Sequence, residues 1–83
     1  MPTRFFYVYI LRSESDRKRF YSGQTENLRA RLQKHNSGDV PHTAKFRPWK
    51  LKTAVAFTDK QQALDSEKYL KSASGRAFAR KRL

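Results

Sequence analysis

The sequence lacks several features that would assign it to a specialised class of protein. Its 83 residues include no cysteine, which excludes disulfides, zinc fingers and cysteine nucleophiles. The longest uncharged apolar run, residues 5–11, is far shorter than the roughly 20 residues that span a bilayer. The first residues do not have the layout of a signal peptide. We therefore expect a soluble, cytoplasmic protein in which residues 1–83 form a single small domain.

Acidic residues are also scarce, with 7 Asp and Glu against 19 Lys and Arg and a net charge of +12. The excess positive charges of a compact chain repel one another unless a polyanion offsets them. Nucleic acid is such a polyanion, and it releases counterions for each phosphate that is neutralised. An anionic membrane is the rival partner, but a long basic amphipathic helix is missing from the sequence. We expect nucleic acid as the partner and no membrane. Aromatic residues make up 13% of the chain, which favours a folded core over a disordered basic tail.

The hydrophobic pattern predicts an α+β domain with the element order β-β-α-β-α and a short C-terminal helix. Residues 5–11 are apolar on both faces, so they should form a central strand. A charged turn over residues 12–19 leads to a short second strand over residues 20–23, and an antiparallel hairpin is the default pairing. Residues 51–58 alternate like a third strand. The expected fold is a three-stranded, mainly antiparallel sheet flanked by helices.

Helix boundaries follow from capping residues. Thr25 is the expected N-cap of a first helix that stops before Gly38. Asp59 opens a capping box for a second helix that runs to about residue 72, and Ser74 is the expected cap of a short last helix. Between the first helix and the third strand, residues 37–50 are predicted to be an irregular loop. Loops of this length are uncommon in so small a domain and are often functional.

Glu67 is the carboxylate with the most unusual position. Helical spacing places it inside the apolar arc of the second helix, between Ala63 and Leu64. A carboxylate there needs a cation or hydrogen-bond donors, or else its pKa shifts. Two interpretations stay open on spacing alone: an i,i+4 salt bridge with Lys71, or a ligand for a divalent metal.

Four further side chains are candidates for chemistry. Arg31 and His35 lie one turn apart on the first helix, where they are either a phosphate-binding pair or two solvated polar residues. Tyr9 and Tyr21 come from the first two strands. They are either core residues or, beside a cation, general bases that lose their protons below the usual pKa of about 10.

Basic residues outside this set predict the nucleic-acid interface. They come from the long loop and from the end of the chain, and comprise Lys45, Arg47, Lys71, Arg76, Arg80, Lys81 and Arg82. Trp49, within the loop, either stacks on a base or plugs the core, and the tail is either an interface or a solvated end. We expect the loop and the tail to flank the candidate site on one basic surface.

The order of these residues resembles a known family. The triplets Tyr7–Tyr9 and Tyr21–Gly23 are separated by 11 residues and are followed by the stretch Thr25–Leu32, by His35–Gly38 and by Glu67. This set resembles the GIY-YIG nuclease family over about residues 5–71. The tail is similar to that of small single-domain bacterial members, and the domain resembles the N-terminal catalytic domain of the excision-repair nuclease.

The resemblance implies an endonuclease that cuts one strand of nucleic acid, with DNA as the expected substrate, DNA repair as the setting and one Mg²⁺ or Mn²⁺ ion as cofactor. It implies catalytic roles for Tyr9, Tyr21, Arg31, His35 and Glu67, which we call the five-residue site. Glu67 would hold the ion, Arg31 the scissile phosphate, and either tyrosine would act as the base. The alternative is a non-catalytic nucleic-acid-binding module with the same fold. It is favoured by the lack of any asparagine after residue 36, where some members carry one.

Overall fold

The computed structural model describes residues 4–83. In chain order the elements are β1 (Phe6–Ser13), β2 (Phe20–Thr25), α1 (Leu28–Ser37), α2 (Pro41–Ala44), β3 (Trp49–Phe57), α3 (Lys60–Leu70) and α4 (Ala73–Arg82). This arrangement confirms the predicted α+β fold. Among the described residues, the helices are all too short or too polar to cross a membrane.

The three strands form one antiparallel sheet in the order β2-β1-β3. The prediction that the first strand is central is therefore confirmed, and its middle residues are buried as expected. Strand β2 extends to Thr25, two residues beyond its predicted end, because the ladder continues to the pair Tyr7 and Thr25. A register shift between Ile10 and Leu11 interrupts the pairing of β1 with β3.

Alternate residues of β1 enter two separate hydrophobic clusters, one on each face of the sheet. On one face Val8 and Ile10 pack against α3 and α4 through Ala63, Leu70, Ala79 and Leu83. On the other face Tyr9 and Leu11 pack with Trp49 against α1 and the loop, through Tyr21, Leu28, Leu32 and Phe46. Because side chains alternate along a strand, β1 supplies both cores at once. The result is three layers, with Tyr9 facing α1.

The helix ends confirm part of the capping pattern and correct the rest. The first helix is capped by Asn27, whose side chain accepts a hydrogen bond from the Ala30 amide at 3.0 Å. The prediction of Thr25 as N-cap is wrong because Thr25 is still paired in β2. Gly38 ends α1 with a φ of +88°, as its position predicted. Asp59 caps α3 by accepting from the Gln62 amide at 3.3 Å.

The loop and the tail are both more ordered than the sequence suggested. Helix α2 lies inside the predicted loop, and Trp49 is already the first residue of β3. The last helix begins after Ser72 and continues to Arg82, so the prediction of a short helix capped by Ser74 is wrong. The extra turns form because Ala79 and Leu83 pack against the core. The Thr53 hydroxyl also donates to the Leu83 carbonyl at 2.6 Å.

Candidate active site

The Tyr9 phenol lies over the backbone of the neighbouring strand. Tyr9 pairs with Gly23 across β1 and β2, and a Cβ built on Gly23 would lie 2.5 Å from Tyr9 Oη and 2.7 Å from Cζ. Glycine permits this approach because it has no side chain. The tyrosine is 2% exposed. The glycine of the second motif therefore sets the position of the tyrosine of the first motif.

His35 is buried between two hydroxyl groups. Its Nε2 atom lies 3.1 Å from Tyr9 Oη, and its Nδ1 atom lies 2.8 Å from Thr43 Oγ1. The Thr43 hydroxyl donates to the Val40 carbonyl at 3.4 Å, so it accepts from His35 Nδ1–H. Nε2 of the neutral ring is then the acceptor for the Tyr9 hydroxyl proton. These contacts form a chain of hydrogen bonds from Tyr9 through His35 to Thr43.

Thr43 is a residue that sequence reasoning missed. It belongs to the four-residue helix α2, which the sequence did not predict, and it is 1% exposed. The length of the loop between α1 and β3 was the available signal, and it indicated a functional segment without indicating which residue mattered. Thr43 also accepts, through its carbonyl, a hydrogen bond from the Trp49 indole at 2.8 Å.

Tyr21 covers the other side of the histidine. Its ring centroid lies 4.8 Å from that of His35 and 6.3 Å from that of Tyr9. Tyr21 is half-buried, whereas Tyr9 and His35 are buried. Of the two candidate tyrosines, Tyr21 is thus the more accessible to a ligand, and Tyr9 is the one that is hydrogen-bonded to the histidine.

The charges of Arg31 and Glu67 both act on the pKa of Tyr9. Burial raises the pKa of Tyr9 to about 12, and the neighbouring Tyr21 and Glu67 add to this rise while Arg31 opposes it. Burial also lowers the pKa of His35, and the positive charge of Arg31 lowers it further. At neutral pH the buried pair is therefore a protonated tyrosine and a neutral histidine. The fold thus brings the other four predicted residues within hydrogen-bonding or electrostatic range of Tyr9.

Glu67 forms a salt bridge with Lys71, which was one of the two interpretations of its position in the sequence. Its carboxylate lies 3.0 Å from Lys71 Nζ, and the Glu67 side chain is 23% exposed. Lys71 Nζ also lies 5.7 Å from the Tyr21 ring centroid. Leu64, expected on the buried face, is an exposed residue, whereas Ala63 is fully buried. The apolar face of α3 is thus narrower than predicted, and Glu67 lies at its margin.

The side chains at the site fit a divalent ion that binds the protein through a single carboxylate. Within residues 4–83, no three His, Asp or Glu side chains lie close enough together to hold a metal. Glu67 supplies one partly exposed carboxylate, whose charge acts on Tyr9. Mg²⁺ commonly binds through one or two carboxylates while waters and substrate phosphates complete its coordination. The side chains present are those expected for an ion that is held jointly with a phosphate.

The predicted nucleic-acid contacts come from different layers of the fold. Lys71 lies at the site and Lys45 lines a cleft beside Tyr21. The Arg47 guanidinium lies over Gly38, and its Nε donates to the Ala44 carbonyl at 2.8 Å. The remaining residues, Arg76, Arg80, Lys81 and Arg82, are exposed on α4, in the layer opposite α1 and α2. Helix α4 packs in the layer of α3, whereas Lys45 and Arg47 belong to the segment on the side of α1, so the expected single basic surface around the site stays a prediction.

Trp49 is a core residue. It is 5% exposed, and its indole nitrogen donates to the Thr43 carbonyl. Its backbone amide and carbonyl both bind the Asn36 side chain, at 2.6 and 3.0 Å. The suggestion that Trp49 stacks on a base is therefore wrong, and its alternative, a plug beneath the loop, is confirmed.

Comparison with known proteins gives matches along most of the chain. A UPF0213 protein of Lacticaseibacillus paracasei is 36% identical over 86% of this chain and 79% of its own length. Another UPF0213 protein, from Bacillus licheniformis, is 35% identical over 89% of this chain and 75% of its own length. The structure-specific endonuclease subunit SLX1 of Debaryomyces hansenii is 41% identical over 76% of this chain but only 20% of its own length.

A family model gives the broadest match. The GIY-YIG catalytic domain matches residues 5–82, which includes every element of the structure and the whole five-residue site. The order of the two tyrosine motifs, the arginine and histidine on α1 and the glutamate on α3 agrees with the resemblance seen in the sequence. The chain belongs to the GIY-YIG catalytic domain family, a family of nucleases.

Proposed function

We propose that this chain is an endonuclease that hydrolyses a phosphodiester bond of DNA with the help of one divalent ion, Mg²⁺ or Mn²⁺. The observation that carries the proposal is the hydrogen-bonded series Tyr9–His35–Thr43, with the charges of Arg31 and Glu67 acting on Tyr9. A module that only binds nucleic acid gains nothing from a carboxylate directed at a polyanion, or from a buried acceptor for a phenol proton.

Tyr9 acts as the base that takes a proton from the attacking water. Its own proton passes to His35 Nε2, 3.1 Å away, while Thr43 holds the ring through Nδ1–H. The low pKa of His35 opposes this transfer in the free chain, partly because of Arg31. A phosphate bound at Arg31 offsets that positive charge, so substrate binding makes His35 a better proton acceptor. The base is thereby activated only when the substrate is in place.

Arg31 holds the scissile phosphate. Its guanidinium is absent from the ion pairs found within residues 4–83, so its planar donors are available to an oxyanion. A fixed cation next to the reacting phosphate stabilises the charge that develops in the transition state. Tyr21, half-buried and with its ring 4.8 Å from that of His35, would border the same phosphate.

Glu67 would hold the divalent ion, which would supply positive charge to the phosphate and to the leaving oxygen. Glu67 must first leave its salt bridge with Lys71, a partly exposed pair whose contribution to stability is about 0.3–0.5 kcal/mol. Lys71, released beside Tyr21, can then contact a phosphate of the substrate. Lys71 thus neutralises the charge of Glu67 in the free chain and the charge of a phosphate in the complex with nucleic acid.

A plasmid assay tests this proposal. Supercoiled DNA is incubated with the chain in Mg²⁺, in Mn²⁺ or in EDTA, and nicked circles are quantified. We expect nicking only with a divalent ion, its loss in Arg31→Ala, and its retention in Arg29→Ala, an exposed arginine on the same helix. Intact plasmid in both ions, together with tight DNA binding, would overturn the nuclease in favour of the binding module.

A further inference from the structure

A cleft of about 550 Å³ opens beside the five-residue site and shares Tyr21 with it. It lies between the start of β2 and the α2 segment, and its lining includes Arg19, Phe20, Tyr21, His42, Lys45 and Phe46. Within the described part of the chain, every charged residue in the lining is basic. The cleft thus combines aromatic walls with a positive rim, which is the composition of surfaces that bind unpaired nucleotides.

The aromatic walls are accessible to a ligand. Phe20, the first residue of β2, is 52% exposed, although exposed phenylalanine is costly in a small domain. Phe46 on the opposite side is half-buried, and the Arg19 guanidinium lies 4.5 Å from its ring centroid. A cation held on the ring of Phe46 keeps positive charge at the edge of an apolar wall.

The cleft is held in shape by hydrogen bonds that the five-residue site does not use. Ser13 Oγ donates to the Phe46 carbonyl at 2.6 Å, which ties the loop to the end of β1. The Trp49 indole donates to the Thr43 carbonyl, and Asn36 binds the Trp49 backbone through both amide atoms. Such a preformed cleft loses little conformational entropy when a ligand enters.

We propose that this cleft binds one unpaired base of the nucleic acid, in the nucleotide that flanks the bond to be cut. The inference rests on the proposed nuclease function and adds its substrate class: a nucleic acid with an unpaired nucleotide next to the cleavage position. Tyr21 joins the two regions, since it lines the cleft and its ring lies 4.8 Å from that of His35. Arg19, His42 and Lys45 contact the phosphates on either side of the bound base.

Binding of two matched oligonucleotides in EDTA, where no hydrolysis occurs, tests this inference. One is a single-stranded thymidine oligomer, and the other is an abasic oligomer of the same length and charge. We expect the thymidine oligomer to bind more tightly by about 5- to 150-fold, the range for stacking one base. Trp49, the only tryptophan of the chain and part of the cleft wall, should change its fluorescence only with the thymidine oligomer.

Two exposed phenylalanines provide the matched variants. Phe20→Ala should remove the difference between the two oligomers, and Phe78→Ala, an exposed phenylalanine on α4, should preserve it. Circular dichroism of both variants verifies the fold. Equal affinity of the unaltered chain for the two oligomers would overturn the inference, as would a base preference that survives in folded Phe20→Ala.

The outcomes for the cleft and for catalysis are separate. A base preference that depends on Phe20, in a chain that nicks no plasmid, supports the cleft and overturns the proposed nuclease. Plasmid nicking by a chain without any base preference supports the nuclease and overturns the cleft. For an active chain, a plasmid or duplex with an unpaired nucleotide should be cut faster than the fully paired duplex, and equal rates would count against the substrate class.

Discussion

Tyr9 and Gly23 face each other across β1 and β2, and the Tyr9 phenol fills the space that a side chain at Gly23 would need. Gly23→Ala should therefore push the phenol away from His35. We expect overpacking to cost about 1–3 kcal/mol of stability. Nicking should fall by about 100-fold or more, since the proton transfer loses its geometry. Ser22→Ala, the neighbouring position, is the control, and full activity of folded Gly23→Ala would contradict this role of the glycine.

The raised pKa of Tyr9 predicts a loss of stability at alkaline pH. The unfolded chain ionises this tyrosine near pH 10 and the folded chain near 12, so the folded state retains a proton that the unfolded state has lost. The free energy of unfolding should be insensitive to Tyr9 below pH 10 and fall by about 2–3 kcal/mol between pH 10 and 12. Urea titrations at about pH 9 and about pH 11 measure this.

Two variants isolate the contribution of Tyr9 to the loss of stability at alkaline pH. Tyr9→Phe should show less of the alkaline loss than the unaltered chain, whereas Tyr69→Phe, at an exposed tyrosine on α3, should show all of it. In Tyr9→Phe the aromatic ring still lies next to His35, but it has no hydroxyl group to ionise. An identical alkaline loss in Tyr9→Phe and in the unaltered chain would contradict the raised pKa.

Thr43 should fix the tautomer of His35. Nitrogen chemical shifts should show Nδ1 protonated and Nε2 free in the unaltered chain, because Thr43 Oγ1 accepts from Nδ1–H. Thr43→Val leaves that buried donor unpaired, at a cost of about 1–3 kcal/mol. Thr43→Ser should restore both the tautomer and the nicking rate. An unchanged tautomer in Thr43→Val would show that another group orients the ring.

The lowered pKa of His35 adds a prediction on the acid side. The folded chain prefers the neutral ring, so the unfolded chain binds the proton first as the pH falls. Stability from this group is complete above the usual pKa of about 6.5 and is lost as the pH falls towards the lower pKa of the folded state. Titration of the two histidines by NMR should therefore show His35 gaining its proton below pH 6.5. A pKa of His35 above 6.5 would contradict this.

We expect Lys71 to compete with a divalent ion for Glu67, because the two side chains form an ion pair in the free chain. Lys71→Ala should free the carboxylate and raise the affinity of the chain for Mn²⁺, measured by calorimetry without nucleic acid. Lys68→Ala removes the same charge from the last turn of α3, next to Lys71, without breaking that pair, and so provides the control. If both variants bind Mn²⁺ equally, the effect is one of net charge and Lys71 does not compete at Glu67.

Much of the fold follows from local patterns in the sequence. The apolar run of β1, the cap at Asp59 and the stop at Gly38 each depend on a few adjacent residues, and each appears in the structure. The five-residue site was placed by family resemblance, because its members are up to 58 positions apart in the chain and no local pattern joins them.

The errors arise where tertiary contacts override a local signal. Thr25 has the side chain of an N-cap, but its pairing with Tyr7 holds it in a strand. The last helix is extended by burial of Ala79 and Leu83, which its polar, basic sequence does not show. Thr43 was missed because its hydroxyl matters only once α2 has brought it to His35. These contacts form only when the helices have packed against the sheet, so a local sequence pattern does not predict them.

The proposed role of Glu67 in metal-dependent cleavage is tested by comparing two carboxylates of α3 in one nicking assay. Glu67→Gln removes the proposed ion ligand, and Asp65→Asn makes the same change at an exposed residue that accepts a hydrogen bond from Gln61. With Mg²⁺, we expect the unaltered chain and Asp65→Asn to nick at similar rates, and folded Glu67→Gln not to nick. Equal nicking by Glu67→Gln, or no nicking by the unaltered chain in either Mg²⁺ or Mn²⁺, would contradict that role.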